Sequence, residues 1–167
     1  MSQQQSIGLS GYCPVCVIEN QQWVKGDSRF AVVQDGTTYY FATAGQKQMF
    51  LSNPNKYTPA LGGKCVVCFV ENGQYVDGTV QFSSLHDGRL FLFPSEEIQQ
   101  MFTKDPKKYA DADLAAKGLC VVCKVELKKD VLGNPEHTVV HKNRRYWFPS
   151  DEQLKMFVAN PARYEMN

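Results

Sequence analysis

Short apolar runs separated by polar turns follow one another along this chain in an order that recurs three times. Cys13, Cys65 and Cys120 lie 52 and 55 residues apart. The same two offsets relate further sets of residues: Glu19, Glu71 and Glu126; Phe41, Phe93 and Phe148; Met49, Met101 and Met156; Phe50, Phe102 and Phe157; Pro54, Pro106 and Pro161; Tyr57, Tyr109 and Tyr164. Because the register never slips, the chain is interpreted as a tandem repeat with a period of roughly 50 residues.

The repeat divides the chain into three modules, here called copies one, two and three. They cover residues 10–60, 61–116 and 117–167, after a predicted flexible N-terminal segment over residues 1–9. The links at 59–63 and 110–118 are rich in Gly and Ala, which is typical of boundaries. One copy is small for an independent core, so we expect the three to pack on one another, with separate beads on linkers as the alternative.

Each copy begins with a Cys-x-x-Cys pair and a predicted short apolar strand, over residues 15–18, 66–70 and 121–125. A β-hairpin is predicted next, with strands over 29–33 and 38–41 in copy one. The turn is Asp35-Gly36 in copy one, Asp87-Gly88 in copy two and Lys142-Asn143 in copy three. Asn tolerates the positive φ that Gly usually supplies, so we expect the third hairpin to form as well.

A helix is predicted after each hairpin. It begins at an N-cap residue, Thr43, Ser95 or Ser150, and Gln46 and Gln153 would complete a capping box in copies one and three. Its buried face is expected to hold the recurring Met and Phe, with Leu51 and Val158 beside them. The helix must end before Asn53-Pro54, Asp105-Pro106 and Asn160-Pro161, which suit one further turn. The fold class is therefore α+β, each copy being a Cys-x-x-Cys knuckle, an antiparallel hairpin and one helix.

Charge and hydropathy narrow the classes of partner. The 18 basic and 17 acidic residues are interspersed and give a net charge of +1, so a nucleic-acid partner is not expected. No apolar run approaches the 18 or so residues of a membrane span. The polar, Gln-rich start immediately before the first cysteine pair favours a periplasmic or secreted chain with its leader removed over a cytoplasmic one.

The candidate chemistry lies in the three thiol pairs Cys13/Cys16, Cys65/Cys68 and Cys120/Cys123. Structural zinc takes four ligands, and one pair supplies half of them, so two copies would have to share an ion. The third pair would then be left over unless the pairs converge on a polynuclear site or the protein dimerises. Cu(I) is selected by soft thiolates and accepts a low coordination number, so each pair could hold one ion alone. The leading hypothesis is non-catalytic binding of Cu(I) or Zn.

Two other hypotheses stay open at this point. The pairs could form disulfides or inert buried thiols in a structural or interaction protein that binds another protein and no metal. They could instead act in thiol-disulfide exchange. That chemistry places the first Cys at a helix N-terminus, and the β-branched residues after each pair argue against a helix there.

The remaining polar and thioether side chains have simpler explanations. His86 and His141 occupy equivalent positions beside the hairpin turns and could be ligands or solvated turn residues. The recurring Glu19, Glu71 and Glu126 could assist a metal or catalysis, although a recurring salt bridge or loop hydrogen bond is the better interpretation. The recurring Met residues lie beside a core Phe, which indicates core packing. No Ser-His-Asp order, phosphate-binding Gly loop or His-Glu-x-x-His pattern is present in the sequence.

A set of short motifs in copy one is shared with a known family. The motifs are Cys13-Pro14-Val15-Cys16, Tyr39-Tyr40-Phe41, and Phe50 followed by Asn53-Pro54 and Tyr57. In these residues copy one resembles the YHS domain, a TRASH-like treble-clef domain, and the repeat extends this likeness over nearly the whole chain. The resemblance implies binding of a heavy metal such as copper, zinc or mercury, in metal transport, sensing or resistance.

The chain also departs from that family. In the family, Tyr-Tyr-Phe is followed by Cys-Ser-x-x-Cys, which brings two more thiolates to the site. The first of these is replaced by Ala42, Pro94 and Pro149, and the second by Gln46, Ile98 and Gln153. The Gly-Met that follows the opening pair in the family is replaced by Val17-Ile18, Phe69-Val70 and Lys124-Val125. The four-thiolate site of the family therefore cannot form within one copy.

Overall fold

Helices and two-stranded hairpins alternate along the chain in the computed structural model, which describes residues 6–166. The α+β class is confirmed. Copy one contains β1 (Ser6–Ile7), α1 (Pro14–Asn20), β2 (Asp27–Gln34), β3 (Thr37–Phe41), α2 (Ala44–Ser52) and α3 (Pro54–Tyr57). Copy two contains α4 (Val66–Asn72), β4 (Thr79–His86), β5 (Arg89–Phe93), α5 (Glu96–Lys104) and α6 (Pro106–Tyr109). Copy three contains α7 (Val121–Leu127), β6 (Asn134–His141), β7 (Arg144–Phe148), α8 (Asp151–Ala159) and α9 (Pro161–Tyr164).

The chain divides into two compact units, residues 1–112 and residues 113–167. The first unit holds copy one and copy two up to residue 112, and the second holds residues 113–116 together with copy three. Within the first unit, Leu90 and Leu92 of copy two belong to the buried cluster of copy one, so these two copies share a core. The division into three separate modules stays a prediction.

The three hairpins form as predicted. Strands β2 and β3 pair antiparallel, with Val33 opposite Thr38, and the other two hairpins repeat this pairing. Both residues of each turn have positive φ, including Lys142 at 50° and Asn143 at 64°. This is the geometry of the type I′ turn, whose twist matches that of the strands. The weaker turn sequence of copy three therefore gives the same hairpin.

The segment that follows the first cysteine of each pair is a helix, so the predicted strands over 15–18, 66–70 and 121–125 are wrong. Helices α1, α4 and α7 each begin directly after that cysteine. Pro14 occupies the first position of α1, where its fixed φ suits a helix start. Val15 and Val17 are buried, and this packing outweighs the weak helix propensity of β-branched residues.

The longer helices begin and end where the sequence predicted. Helices α2, α5 and α8 follow Thr43, Ser95 and Ser150 and end before the Asn-Pro or Asp-Pro pairs, and one further helical turn follows each. The Thr43 hydroxyl accepts the backbone N–H of Gln46 at 3.3 Å. The Ser150 hydroxyl donates to the Gln153 side chain and accepts no backbone N–H, so the predicted capping box is incomplete in copy three.

The buried face of these helices is narrower than predicted. The recurring Phe50, Phe102 and Phe157 are buried, whereas Met49, Met101 and Met156 are 37–42 % exposed. Leu51 and Val158 are also exposed. The predicted core role of the methionines is therefore wrong. The buried residue of each helix is the Phe, and Ile98 of α5 and Leu154 of α8 also pack against the cores of their copies.

The predicted flexible segment over residues 1–9 extends outside the described residues at positions 1–5. Within the described part, Ser6 and Ile7 form β1, which pairs parallel with Thr37 and Thr38 of β3. Leu9 is buried in the core of copy one. Residues 6–9 are therefore part of the fold, because the edge of β3 and the apolar side of the hairpin accept them.

None of the helices between residues 6 and 166 has the length and apolar character needed to span a bilayer.

In the second unit, the buried carboxylate of Asp113 accepts hydrogen bonds from the Arg145 guanidinium at 3.0–3.2 Å. This pair ties the chain before α7 to strand β7.

Candidate functional site

The two cysteines of each pair lie on the first turn of a short helix. The first cysteine is the N-cap, and its Sγ accepts the backbone N–H of the second. The N···Sγ distances are 3.4 Å in copy one, 3.1 Å in copy two and 3.1 Å in copy three. The two thiols of each pair are also within hydrogen-bonding reach of each other, so the structure brings the members of each predicted pair together.

All six cysteines are free thiols and all are buried. Their exposed fractions lie between 0 and 8 %. Each pair belongs to the hydrophobic core of its copy, beside the buried Phe of β3, β5 or β7 and the buried Phe of the following helix. A ligand that reaches the sulfur atoms must therefore shed its water.

Burial also controls protonation at these pairs. It raises the pKa of Cys16 and of Cys65 to about 12 and that of Cys123 to about 11. In each case, loss of hydration of the thiolate is the largest cause, and the hydrogen bond with the other cysteine of the pair adds to it. One thiol of each pair is consequently protonated at neutral pH.

No additional ligand set accompanies the pairs in the part of the chain that the structure describes. Between residues 6 and 166, no three side chains of His, Cys, Asp or Glu are grouped so that they could hold a metal ion. His86 lies 3.3 Å from Asp87, with its ring edge against Phe102. His141 Nε2 lies 2.5 Å from Glu165 Oε2. The four ligands of a structural zinc site are therefore not assembled among these residues.

The recurring glutamate forms the predicted hydrogen bond and salt bridge. In copy one, the Glu19 carboxylate accepts the Tyr57 hydroxyl at 2.5 Å and the Lys56 ammonium at 2.5 Å. Copy two repeats this with Glu71, Tyr109 and Lys108, and copy three with Glu126, Tyr164 and Arg163. The hydroxyl of the closing Tyr thus donates to a carboxylate in every copy.

The glutamate contacts connect the start of each copy to its end. Lys56 and Tyr57 lower the pKa of Glu19 by hydrogen bonding, so its carboxylate is charged at neutral pH. The same bond and loss of hydration raise the pKa of Tyr57. Both donors bind Oε1 of the Glu19 carboxylate and lie at the far end of the copy, which supports a structural role for these glutamates rather than a role at the thiols.

One sulfur-containing residue beside a pair was missed by the sequence interpretation. Met166 lines a hollow in the second unit together with Cys120. The sequence signal that could have identified it is a Met two residues after the closing Tyr164. Copies one and two have Pro59 and Asp111 at the equivalent position.

Comparisons with family models, with curated proteins and with solved structures found no match to this chain.

Proposed function

We propose that each cysteine pair binds one Cu(I) ion and that the protein is a non-catalytic binder of soft metal ions. The observation that carries this proposal is the isolation of each pair: two sulfur atoms lie together, and no set of three ligands exists among residues 6–166. Soft thiolates select Cu(I), and a low coordination number suits it, whereas zinc takes four ligands. The donor set therefore fits Cu(I) better than zinc.

The surroundings of the pairs support this choice. Two thiolates without a cation would be costly to bury in the cores of the copies, and one monovalent cation offsets half of that charge. The backbone N–H that each first cysteine accepts compensates part of the remainder. Binding displaces at least the proton of the thiol whose pKa burial raises, so we expect affinity to increase with pH.

The motifs of copy one support a relationship to the YHS domain in this proposal. Helix N-caps occupy the part of the chain where that family has its second thiol pair, since Thr43, Ser95 and Ser150 precede α2, α5 and α8. We therefore propose three degenerate YHS-like modules that keep the first thiol pair and use it alone.

Anaerobic titration of the reduced protein with Cu(I) against a coloured Cu(I) chelator tests the function. Three ions per chain are expected. X-ray absorption should show that the majority of the copper ions have two sulfur ligands each. Cys65→Ser combined with Cys68→Ser should lower the stoichiometry from three ions to two. Met101→Leu is the matched control in the same copy and should leave three.

Two results would contradict the proposal. The first is fewer than six thiols titrated without reductant in urea, in protein that contains no metal, since this would show disulfides. The second is loss of all three ions in the Cys65→Ser, Cys68→Ser variant with the fold retained, since this would show one shared cluster.

A structural or interaction protein is the second candidate. The burial of all six thiols and the raised pKa of Cys16, Cys65 and Cys123 favour it, because protonated buried thiols act as small apolar side chains. In this case the ligand would be another protein and no metal would bind. The same raised pKa disfavours thiol-disulfide exchange, which needs a thiolate, although the helix start after each first cysteine removes our earlier objection to it.

A further inference from the structure

An apolar hollow of about 420 Å³ lies beside the third cysteine pair, within the second unit. Its lining includes Cys120, Val121 and Val125 on one side and Tyr164 and Met166 on the other. Lys124 and Asp130, which also line it, neutralise each other in a salt bridge of 2.8 Å. Lys117 is one further charged residue of the lining, and Met166 contributes one sulfur atom from the C-terminal segment.

The backbone of that segment is held in place by three contacts with the hairpin of copy three. The backbone N–H of Met166 donates to the Tyr146 hydroxyl at 3.1 Å. The Glu165 carboxylate lies 2.5 Å from His141 Nε2 and 3.0 Å from Lys142 Nζ. The Met166 side chain itself is 46 % exposed, so it can change rotamer at the hollow while its backbone stays fixed.

Neither of the other copies has a sulfur atom at this position. Pro59 in copy one and Asp111 in copy two correspond to Met166. A smaller hollow over α1 in the first unit is lined by Val17, Trp23 and Leu90 among others, and by no cysteine. Copy three therefore differs from the other two copies in the sulfur donor at this position.

We propose that the Met166 thioether is a third sulfur ligand for the Cu(I) bound by Cys120 and Cys123, which makes copy three the site of highest Cu(I) affinity. This inference rests on the proposed function. A thioether is a soft ligand that suits Cu(I), and it is neutral. Of the pair, Cys120 lines the hollow, and a neutral thioether adds no charge beside a thiolate that is already costly to bury.

The test uses the full chain carrying ¹³C-methyl methionine, titrated with Cu(I) under anaerobic, reducing conditions. The Met166 methyl resonance, assigned with Met166→Leu, should shift and saturate with the first equivalent. The Met156 methyl group, on α8 of the same copy, should not move. In chelator competition, Met166→Leu should weaken the tightest of three ions by roughly tenfold, whereas Met156→Leu should match the wild type.

The possible failures are distinguishable. If three ions bind but the Met166 resonance stays fixed, or if Met166→Leu titrates as the wild type does, the thioether is not a ligand and the proposed function stands. If the wild-type protein binds no Cu(I), both proposals are overturned. Met166 is exposed, so its replacement by Leu is not expected to unfold the chain.

Discussion

Burial determines what the cysteine side chains can do at the scale of single residues. A thiol with a pKa near 12 holds its proton at every pH where proteins are normally handled. A soft cation can still displace that proton, because the bound cation stabilises the buried thiolate. The same sulfur atom is therefore nearly inert towards alkylating reagents and available to Cu(I).

We predict that Cys65 of the reduced, metal-free native protein is alkylated at least about 100-fold more slowly at pH 8 than the same residue in urea. Its pKa of about 12 leaves a thiolate fraction on the order of 10⁻⁴, against roughly 10⁻¹ for an exposed thiol. Peptide-resolved mass spectrometry measures both rates. The native rate should still increase tenfold per pH unit at pH 10, and native and urea rates within tenfold of each other would contradict the prediction.

The raised pKa of Cys65 also determines how the stability of the fold changes with pH. Folding raises the pKa of this thiol, so the fold favours its neutral form. That contribution is complete below the ordinary pKa of 9.0 and is lost as the pH increases towards 12. Urea midpoints between pH 8 and pH 11 should fall for this reason.

Close backbone contact explains a recurring glycine. A Cβ atom on Gly78 would lie 2.4 Å from the Leu92 carbonyl carbon. A Cβ atom on Gly26 would lie 2.4 Å from the carbonyl carbon of Tyr40, and one on Gly133 would lie 2.5 Å from that of Trp147. We predict that Gly78→Ala lowers the free energy of unfolding by about 3 kcal/mol, because rigid backbone must move. Gly45→Ala is the control, since its nearest atom is Thr43 Oγ1 at 3.6 Å. Equal urea midpoints for Gly78→Ala and the wild type would contradict this.

At the scale of elements, hairpins and long helices could be predicted from local signals alone. Asp35-Gly36 supplies positive φ where the turn needs it, and Thr43 and Asn53-Pro54 mark a helix start and end. Helix α1 could not be predicted in this way, because Val15 and Val17 favour strands and only their burial stabilises a helix. The proximity of sulfur atoms within a pair follows from the spacing, whereas their burial and the position of Met166 depend on long-range packing.

The three helix caps give a prediction at this scale. Thr43→Ala and Ser95→Ala should each cost about 1 kcal/mol, because each hydroxyl accepts a backbone N–H at 3.3 Å. Ser150→Ala should cost less than about 0.5 kcal/mol, because that hydroxyl accepts none. Urea unfolding measures all three. If Ser150→Ala loses as much unfolding free energy as the other two variants, the helix of copy three is capped in the same way and the prediction is contradicted.

At the scale of the whole molecule, repeats in sequence do not correspond one to one with compact units. Copy one completes its core with Leu90 and Leu92 of copy two, while copy three lies in a unit of its own. Sequence periodicity identifies equivalent residues and carries no information on which copies share a core. That depends on the outward face of each hairpin, where Leu90 of copy two corresponds to Thr38 of copy one and Arg145 of copy three.

Leu90 therefore tests whether copies one and two unfold together. It is 1 % exposed, and Leu90→Ala should destabilise the first unit by about 2–5 kcal/mol. Trp23, which lines the same small hollow, reports this transition by fluorescence when Trp147→Phe removes the other indole. Leu85→Ala on the same hairpin, at 40 % exposure, is the control and should cost less than about 1 kcal/mol. Independent copies would leave the Trp23 transition unmoved in Leu90→Ala, since the lost side chain would belong to another folding unit.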